Sequence, residues 1–111
     1  MSVSDLNYEQ AKLIVSRGLV KQQEHFVWRA DSRLRATSPY RLTLLQAEQF
    51  IRDIKVPVQL IYGNKGHDMV SKGVKHFGPL FERFLSYQLN GGHHVHMEQP
   101  EATVQLINDF I

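Results

Sequence analysis

The stretch Val56-Pro57-Val58-Gln59-Leu60-Ile61-Tyr62-Gly63-Asn64-Lys65-Gly66 decides how this sequence folds. Val58 to Tyr62 is short, apolar at almost every position and rich in β-branched and aromatic residues, and it stops at a pair of glycines. A strand covered on both faces reads this way, since neither side of it can afford polar groups. Beyond the loop at Gly63-Asn64-Lys65-Gly66, Met69, Val70 and Val74 supply the face of a helix. Gly78-Pro79 interrupts that helix, and Leu80, Phe81 and Phe84 supply a further helical turn. A second strand is expected over Ser86–Leu89. Gly91-Gly92-His93-His94 forms the next loop. Pro100 sits where the first position of a helix tolerates it, with Glu101 in the favourable first turn. Val104, Ile107, Phe110 and Ile111 give this last helix its buried stripe. Strand, helix, strand and helix in that order imply a right-handed parallel crossover, a piece of an α/β sheet.

Toward the N-terminus the character changes at Lys55-Val56-Pro57. Asn7 followed by Gln10 resembles a capping arrangement, Ala11, Ile14 and Val15 form an apolar stripe, and Gly18 is suited to a left-handed C-cap. Phe26 and Trp28 follow, then Arg29, Arg33, Arg35 and Arg41 around Asp31, with a turn at Ser38-Pro39; this part reads as irregular. Thr43 with Gln46 is a second capping box, opening a helix from Leu44 to Ile54. The chain is therefore divided into a helical segment over 1–55 and a β-α-β-α segment over 56–111.

Composition fits one soluble domain. The 111 residues are 42% hydrophobic and 22% charged, close to ordinary globular usage and far from disorder. The formal charge of +2 comes from acidic and basic residues spread along the whole chain, so nucleic acid is not an expected partner. There is no cysteine, which excludes disulfides and thiolate metal sites. The opening Met1-Ser2-Val3-Ser4-Asp5 lacks the basic start and apolar run of a leader, and no stretch approaches a membrane span, so the expected location is cytoplasmic.

In open parallel sheets, reactive residues lie on loops beyond the carboxyl ends of the strands. Two such loops are expected here, one with Asn64, His67 and Asp68, the other with His93, His94, His96 and Glu98. The second, Gly92-His93-His94-Val95-His96-Met97-Glu98-Gln99-Pro100-Glu101, resembles the histidine loop of α/β-hydrolases, a Gly-His pair followed by Glu-x-Pro opening the last helix. The strand after Pro57 is similar to the penultimate strand of that fold. Phe26-Val27-Trp28-Arg29-Ala30-Asp31 and the helix after Tyr40-Arg41 are similar to the helical lid of its serine-hydrolase-like branch. The fold class so implied is a partial α/β-hydrolase fold, a lid remnant at 1–55 followed by two parallel strands and flanking helices.

Carried over residue by residue, the resemblance makes His93 the general base of an ester-type hydrolysis and Asp68 the acid that orients it. Family members place that acid about three residues after the strand's glycine, where this chain has Gly66. Asp68 serves if the loop is longer, and Asn64 could hydrogen-bond there without a carboxylate's charge. Phe26, Trp28 and His94 become substrate-binding residues beneath the lid. No cofactor and no metal is implied.

The family's nucleophile sits in a Gly-x-Ser-x-Gly elbow ahead of the acid and the histidine. Ile14-Val15-Ser16-Arg17-Gly18 and Met69-Val70-Ser71-Lys72-Gly73 keep the second glycine of that pattern without the first. The implied protein is thus a truncated hydrolase-family member without independent turnover, with a non-catalytic small-molecule-binding module or one half of a split hydrolase as alternatives. Its expected partners are a small apolar ligand and a second copy, because a strand pair this small leaves sheet edges that recruit other chains.

Competing readings exist for the same residues. His93, His94, His96 and Glu98 are all metal-ligand types, yet adjacent histidines point apart and no ligand pair recurs at helical i, i+4 spacing. The arginine group around Asp31 suits an anion through bidentate contacts, against a plain surface ion pair. Phe26, Trp28 and Tyr40 suit a pocket wall or simple packing.

Overall fold

The computed structural model describes residues 5–111, the side chain of Arg35 excepted; Met1–Ser4, which open the stretch read for a leader, lie outside it. The chain forms two compact units, Leu6–Arg41 and a second comprising Asp5 with Leu42–Ile111.

In the first unit, helix α1 spans Tyr8–Gly18 and starts on the capping box read in the sequence: Asn7 Oδ1 accepts the Gln10 N–H at 2.9 Å, and the Asn7 N–H donates to Gln10 Oε1 at 3.1 Å. Gly18 does not take the expected left-handed cap, since no described glycine has positive φ; Leu19 ends the helix in an extended conformation, its N–H returning to the Val15 carbonyl. What Gly18 supplies is room, because a Cβ there would stand 2.9 Å from Trp28 Cζ3. The segment read as irregular is instead a β-hairpin, β1 (Leu19–Gln22) against β2 (His25–Trp28), in register from Leu19↔Trp28 to Gln22↔His25. Gln23 takes the left-handed conformation of its tight turn at φ 54°. A single 3-10 turn over Ser32–Arg35 follows, capped by Asp31.

In the second unit, α2 (Leu44–Arg52) begins on the expected Thr43/Gln46 capping box and stops short of the predicted Ile54. It belongs with the strands, because His76 Nε2 stands 2.9 Å from Glu48 Oε1, tying α2 to the helix that follows β3. The compact units therefore part at Arg41/Leu42, whereas the sequence changes character at 55/56. Strand β3 (Val58–Gly63) leads through a short loop to α3 (Asp68–Phe77), then to a 3-10 turn at Gly78–Leu80. Strand β4 (Phe84–Leu89) pairs parallel with β3, from Val58↔Phe84 to Gly63↔Leu89. Phe84 thus opens a strand where a helical turn was expected: its ring stacks on Phe81 at 5.0 Å and fills the space a side chain at Gly78 would need. A short helix α4 (Val95–Glu98), not anticipated, and α5 (Pro100–Phe110) complete the unit. The observed class is mixed α/β, with one parallel and one antiparallel strand pair.

Packing around the parallel pair is thin. Val95, at 4% exposure, is the buried apolar side chain among the described residues. The stripe expected to be buried on α5 is exposed, from Phe110 and Ile107 to Ile111 at 95%. Ala102, Thr103 and Leu106 are the half-buried positions instead, because the Gln59 side chain donates to the Leu106 carbonyl at 3.1 Å and fixes that side of α5 on the sheet. No helix among the described residues is long and apolar enough to cross a membrane.

Candidate functional site

The carboxyl ends of β3 and β4 bring the two expected loops together. The ladder runs past the strands, with the Asn64 N–H donating to the Leu89 carbonyl at 2.9 Å and the Lys65 N–H to the Gly91 carbonyl at 2.8 Å. Asn64 Oδ1 accepts the Gly91 N–H at 3.1 Å, so this side chain braces the backbone where the two loops meet. The approach demands glycine: a Cβ at Gly63 would run into the carbonyl oxygens of both Gly91 and Gly92.

His93 stands on the second loop at this junction, and its ring meets the first loop through His67, with centroids 4.5 Å apart and planes at 43°. Both rings border a shallow hollow of about 160 Å³ beside β3, lined by Leu60, Ile61, Tyr62, Gly63, Gly66, His67, Val70 and His93. His94 precedes α4, with its ring 5.0 Å from that of His93, and is not part of this lining. Asp68 is the first residue of α3 and is exposed, where a carboxylate favours the positive end of the helix. From the β3–α3 side the His67 ring meets that of His93, and among the described residues no hydrogen bond or ion pair joins Asp68 to His93.

Two carboxylates do serve the histidine loop, through backbone donors. Glu98 Oε1 accepts the Gly92 N–H at 2.7 Å, and Asp5 Oδ2 accepts the His93 N–H at 2.5 Å. That donor holds the Asp5 carboxyl below its usual range, with the positive charge available on His94 and His93 acting in the same direction and partial desolvation opposing it. Gln99 adds a bond from Nε2 to the Asn90 carbonyl at 3.1 Å. Glu98 thus finds a use in the Glu-x-Pro stretch, closing the loop on itself. Asp5 has no signal in the sequence, being 88 positions away from its partner. Among the described residues no group of His, Asp and Glu is arranged to hold a metal ion.

The remaining predicted residues belong to the other unit. Phe26 and Trp28 lie on β2 with 68% and 57% of their surface exposed. Trp28 borders a hollow of about 550 Å³ with Ala30, Asp31, Ser32 and Leu34; Phe26 does not. Arg33 is engaged with Asp31, its Nη2 donating at 2.6 Å to Oδ2 and its Nε to Oδ1 at 3.0 Å, an exposed fork that lowers the Asp31 pKa and raises that of Arg33. Neither candidate serine sits on an elbow: Ser16 is inside α1 with its hydroxyl donating to the Leu13 carbonyl, and Ser71 is inside α3.

No protein-family model and no curated protein matches the chain. It is similar to the crystal structure of the hypothetical protein PA1622 from Pseudomonas aeruginosa PAO1, with 34% identity and a TM-score of 0.72 over 85% of this chain and 33% of that one. The selenomethionine-substituted form of the same protein gives 31% identity and a TM-score of 0.78 over 90% of this chain and 36% of that one. The chain thus spans about a third of the length of the solved protein it resembles.

Proposed function

We propose that this chain is the histidine-bearing, C-terminal portion of an α/β-hydrolase fold, with His93 the general base of an ester-type hydrolysis whose nucleophile comes from outside these 111 residues. The observation that carries the reading is the place of His93, beyond the carboxyl end of the second strand of a parallel pair with its ring against the loop from the first. In that chemistry the imidazole takes the proton of an attacking hydroxyl as its oxygen bonds to the ester carbonyl carbon, then returns it to the departing alcohol as the C–O bond breaks. Water repeats the sequence and releases the acid. His93 supplies the proton transfers alone; the attacking oxygen and the donors that stabilise the oxyanion, normally the larger contribution, have to be brought to it.

The test is the rate of p-nitrophenyl acetate hydrolysis by the purified chain, by its His93→Ala variant and by its His94→Ala variant. No multiple turnover from any of the three is expected. Turnover abolished by His93→Ala would overturn the need for an outside nucleophile, and turnover indifferent to His93 would overturn the assignment of the base. The same assay on PA1622, with the residue aligned to His93 replaced by alanine, reads the reaction class. Turnover lost in that variant supports ester-type hydrolysis, and turnover that survives, or is absent from the parent, overturns it.

A second reading, a non-catalytic small-molecule-binding module, draws on the 550 Å³ hollow beside Trp28. That volume lies in the range of small-ligand sites. Trp28 is the one tryptophan in the sequence, so its fluorescence reports the hollow directly. A saturable shift on titrating a short-chain ester or alcohol, lost in Leu34→Asp, supports binding; a linear response refutes it.

A further inference from the structure

A carboxylate from the far end of the chain is seated on the histidine loop. Asp5 precedes α1 in sequence but belongs to the same compact unit as the strands and the loop. Its Oδ2 accepts the His93 N–H at 2.5 Å, a short separation of the kind that a charged acceptor gives. The same carboxylate rests against Gly92, where a Cβ would run into both Asp5 Oδ2 and Asp5 Cγ. Gly92 leaves open the space that the carboxylate fills, and its own N–H goes to Glu98 Oε1 at 2.7 Å. One member of the Gly92-His93 pair thus seats a carboxylate beside the other.

The groups around it are rings that can become positive. His93 meets His67 of the β3–α3 loop at 4.5 Å and His94 at 5.0 Å, and His94 meets His96 of α4 at 6.0 Å between centroids. Of the neighbouring acids, Glu98 of α4 is engaged with the Gly92 N–H and Asp68 lies in the first turn of α3. The Asp5 carboxyl is pulled below its usual range first by the His93 N–H and then, against partial desolvation, by its own backbone N–H and by charge on His94 and on His93. Coupling of this kind is reciprocal: a carboxylate that a charged ring keeps ionised must in turn favour the charged ring. A carboxyl so depressed stays ionised throughout the range in which an imidazole gains and loses its proton.

We infer that Asp5 is a positioning residue for His93, fixing the histidine loop through the His93 N–H and stabilising by its charge the imidazolium that forms when His93 takes a proton. A triad carboxylate does both through the ring nitrogen. Asp5 does the first through the backbone and the second across space. In the proton transfer His93 gains the proton and the positive charge, while Asp5 remains an anion and no bond to it is made or broken. The part this charge plays in ester hydrolysis rests on the reading of His93 as the base. The link between carboxylate and ring does not, and it can be measured on the chain by itself.

The experiment follows the histidine ring resonances by NMR from about pH 5 to about pH 8 in the parent, Asp5→Asn, Asp5→Ala and Asp68→Asn, with amide dispersion confirming that each is folded. Asparagine keeps an oxygen for the His93 N–H and drops the charge, so it separates holding the loop from stabilising the ring. A unit charge roughly 6 Å away in water-like surroundings changes an equilibrium about threefold. The His93 ring is therefore expected to hold its proton about threefold less tightly in Asp5→Asn and Asp5→Ala than in the parent, and equally tightly in Asp68→Asn. A His93 ring that titrates in Asp5→Asn as it does in the parent means that the contact only holds the loop, and overturns the inference. A change confined to His94, or one that appears in Asp68→Asn instead, overturns it too. No substrate is present, so these outcomes are separate from whether PA1622 hydrolyses the ester, which decides the hydrolase reading.

Discussion

Replacing Gly63 by alanine tests whether the two loops meet as closely as the site requires. The backbone at Gly63 has negative φ, so the objection to a side chain is one of space alone. The new methyl would coincide with the carbonyl oxygens of Gly91 and Gly92, which are backbone and cannot rotate aside as a side-chain tip would. To admit it the histidine loop must retreat, and two bonds span the gap it would open: Lys65 N–H to the Gly91 carbonyl at 2.8 Å, and Gly91 N–H to Asn64 Oδ1 at 3.1 Å. Each contributes about 0.5–1.5 kcal/mol net, and overpacking itself costs about 1–3 kcal/mol, so a loss of roughly 2–6 kcal/mol is expected. Gly73→Ala is the control, inside α3, where a Cβ would find Phe77 Cδ2 at 4.0 Å and nothing closer. It should gain about 0.5–1 kcal/mol from helix propensity. Urea unfolding followed by far-ultraviolet circular dichroism reads both, at equal m-values. If Gly63→Ala falls within about 0.5 kcal/mol of the parent, the loops do not pack as described and the placement of His93 beside the β3–α3 loop fails with them.

Asn7→Ala and Thr43→Ala each remove the side-chain half of a capping box and should cost about 1 kcal/mol of stability in the unit that holds them, with serine at either position restoring most of it in the same urea titration. The Asp5 carboxyl is held below its ordinary value near 3.8 by the His93 N–H, so its contribution is fully present above that ordinary value and is lost as the pH falls through the depressed one. A movement of the His93 amide resonance below about pH 4 is accordingly expected, and that movement should be absent in Asp5→Ala; an amide that moves identically there in both would refute the contact. Asp68→Asn should cost about 0.3–1 kcal/mol through the start of α3, and leave the amide resonances of Gly92 and His93 where they are; displaced resonances there would return Asp68 to the histidine.

Local chemistry with a short reach was legible. Both capping boxes stand where Asn7/Gln10 and Thr43/Gln46 put them, and the apolar run after Pro57 is the strand it reads as, because these features depend on residues within one turn or one strand of each other. The hairpin at 19–28 was not legible: its tight turn is built on Gln23, whereas the sequence signal for such turns is asparagine or glycine. The face of α5 was misread for a different reason. Val104, Ile107 and Ile111 have helical spacing, but a stripe says only which residues share a face, and Gln59 reaching the Leu106 carbonyl decides which face meets the sheet. The site divides in the same way. The Gly91–His94 turn stands as a loop between β4 and α4, as its contiguous glycines imply, and the two candidate loops meet through the His67 and His93 rings, whereas Asp5 reaches His93 only through the fold.

The most informative departure concerns the acid. A Cβ built on Gly66 would stand 3.5 Å from the Cα and backbone nitrogen of His93, so a side chain at that position would start beside the His93 backbone. The chain has glycine there, and Asp68, two residues on, has been drawn into the first turn of α3, where the helix itself rewards it. The carboxylates that do reach the histidine loop take backbone N–H groups of Gly92 and His93 and leave the ring to His67. The carboxylates that hold the loop are therefore other residues than the one the hydrolase resemblance expects beside the imidazole. Gly66→Asp tests whether a carboxylate there acts on the imidazole, at the cost of a small shift of the Gly63 carbonyl, which a Cβ would approach to 3.2 Å. In the proposed setting it should raise any His93-dependent ester turnover obtained once a nucleophile is supplied, with Gly66→Asn, of the same shape and no charge, giving less. Equal rates for the two variants would mean that a carboxylate at this position does nothing for the base, and the hydrolase reading of the loop would lose its geometric footing.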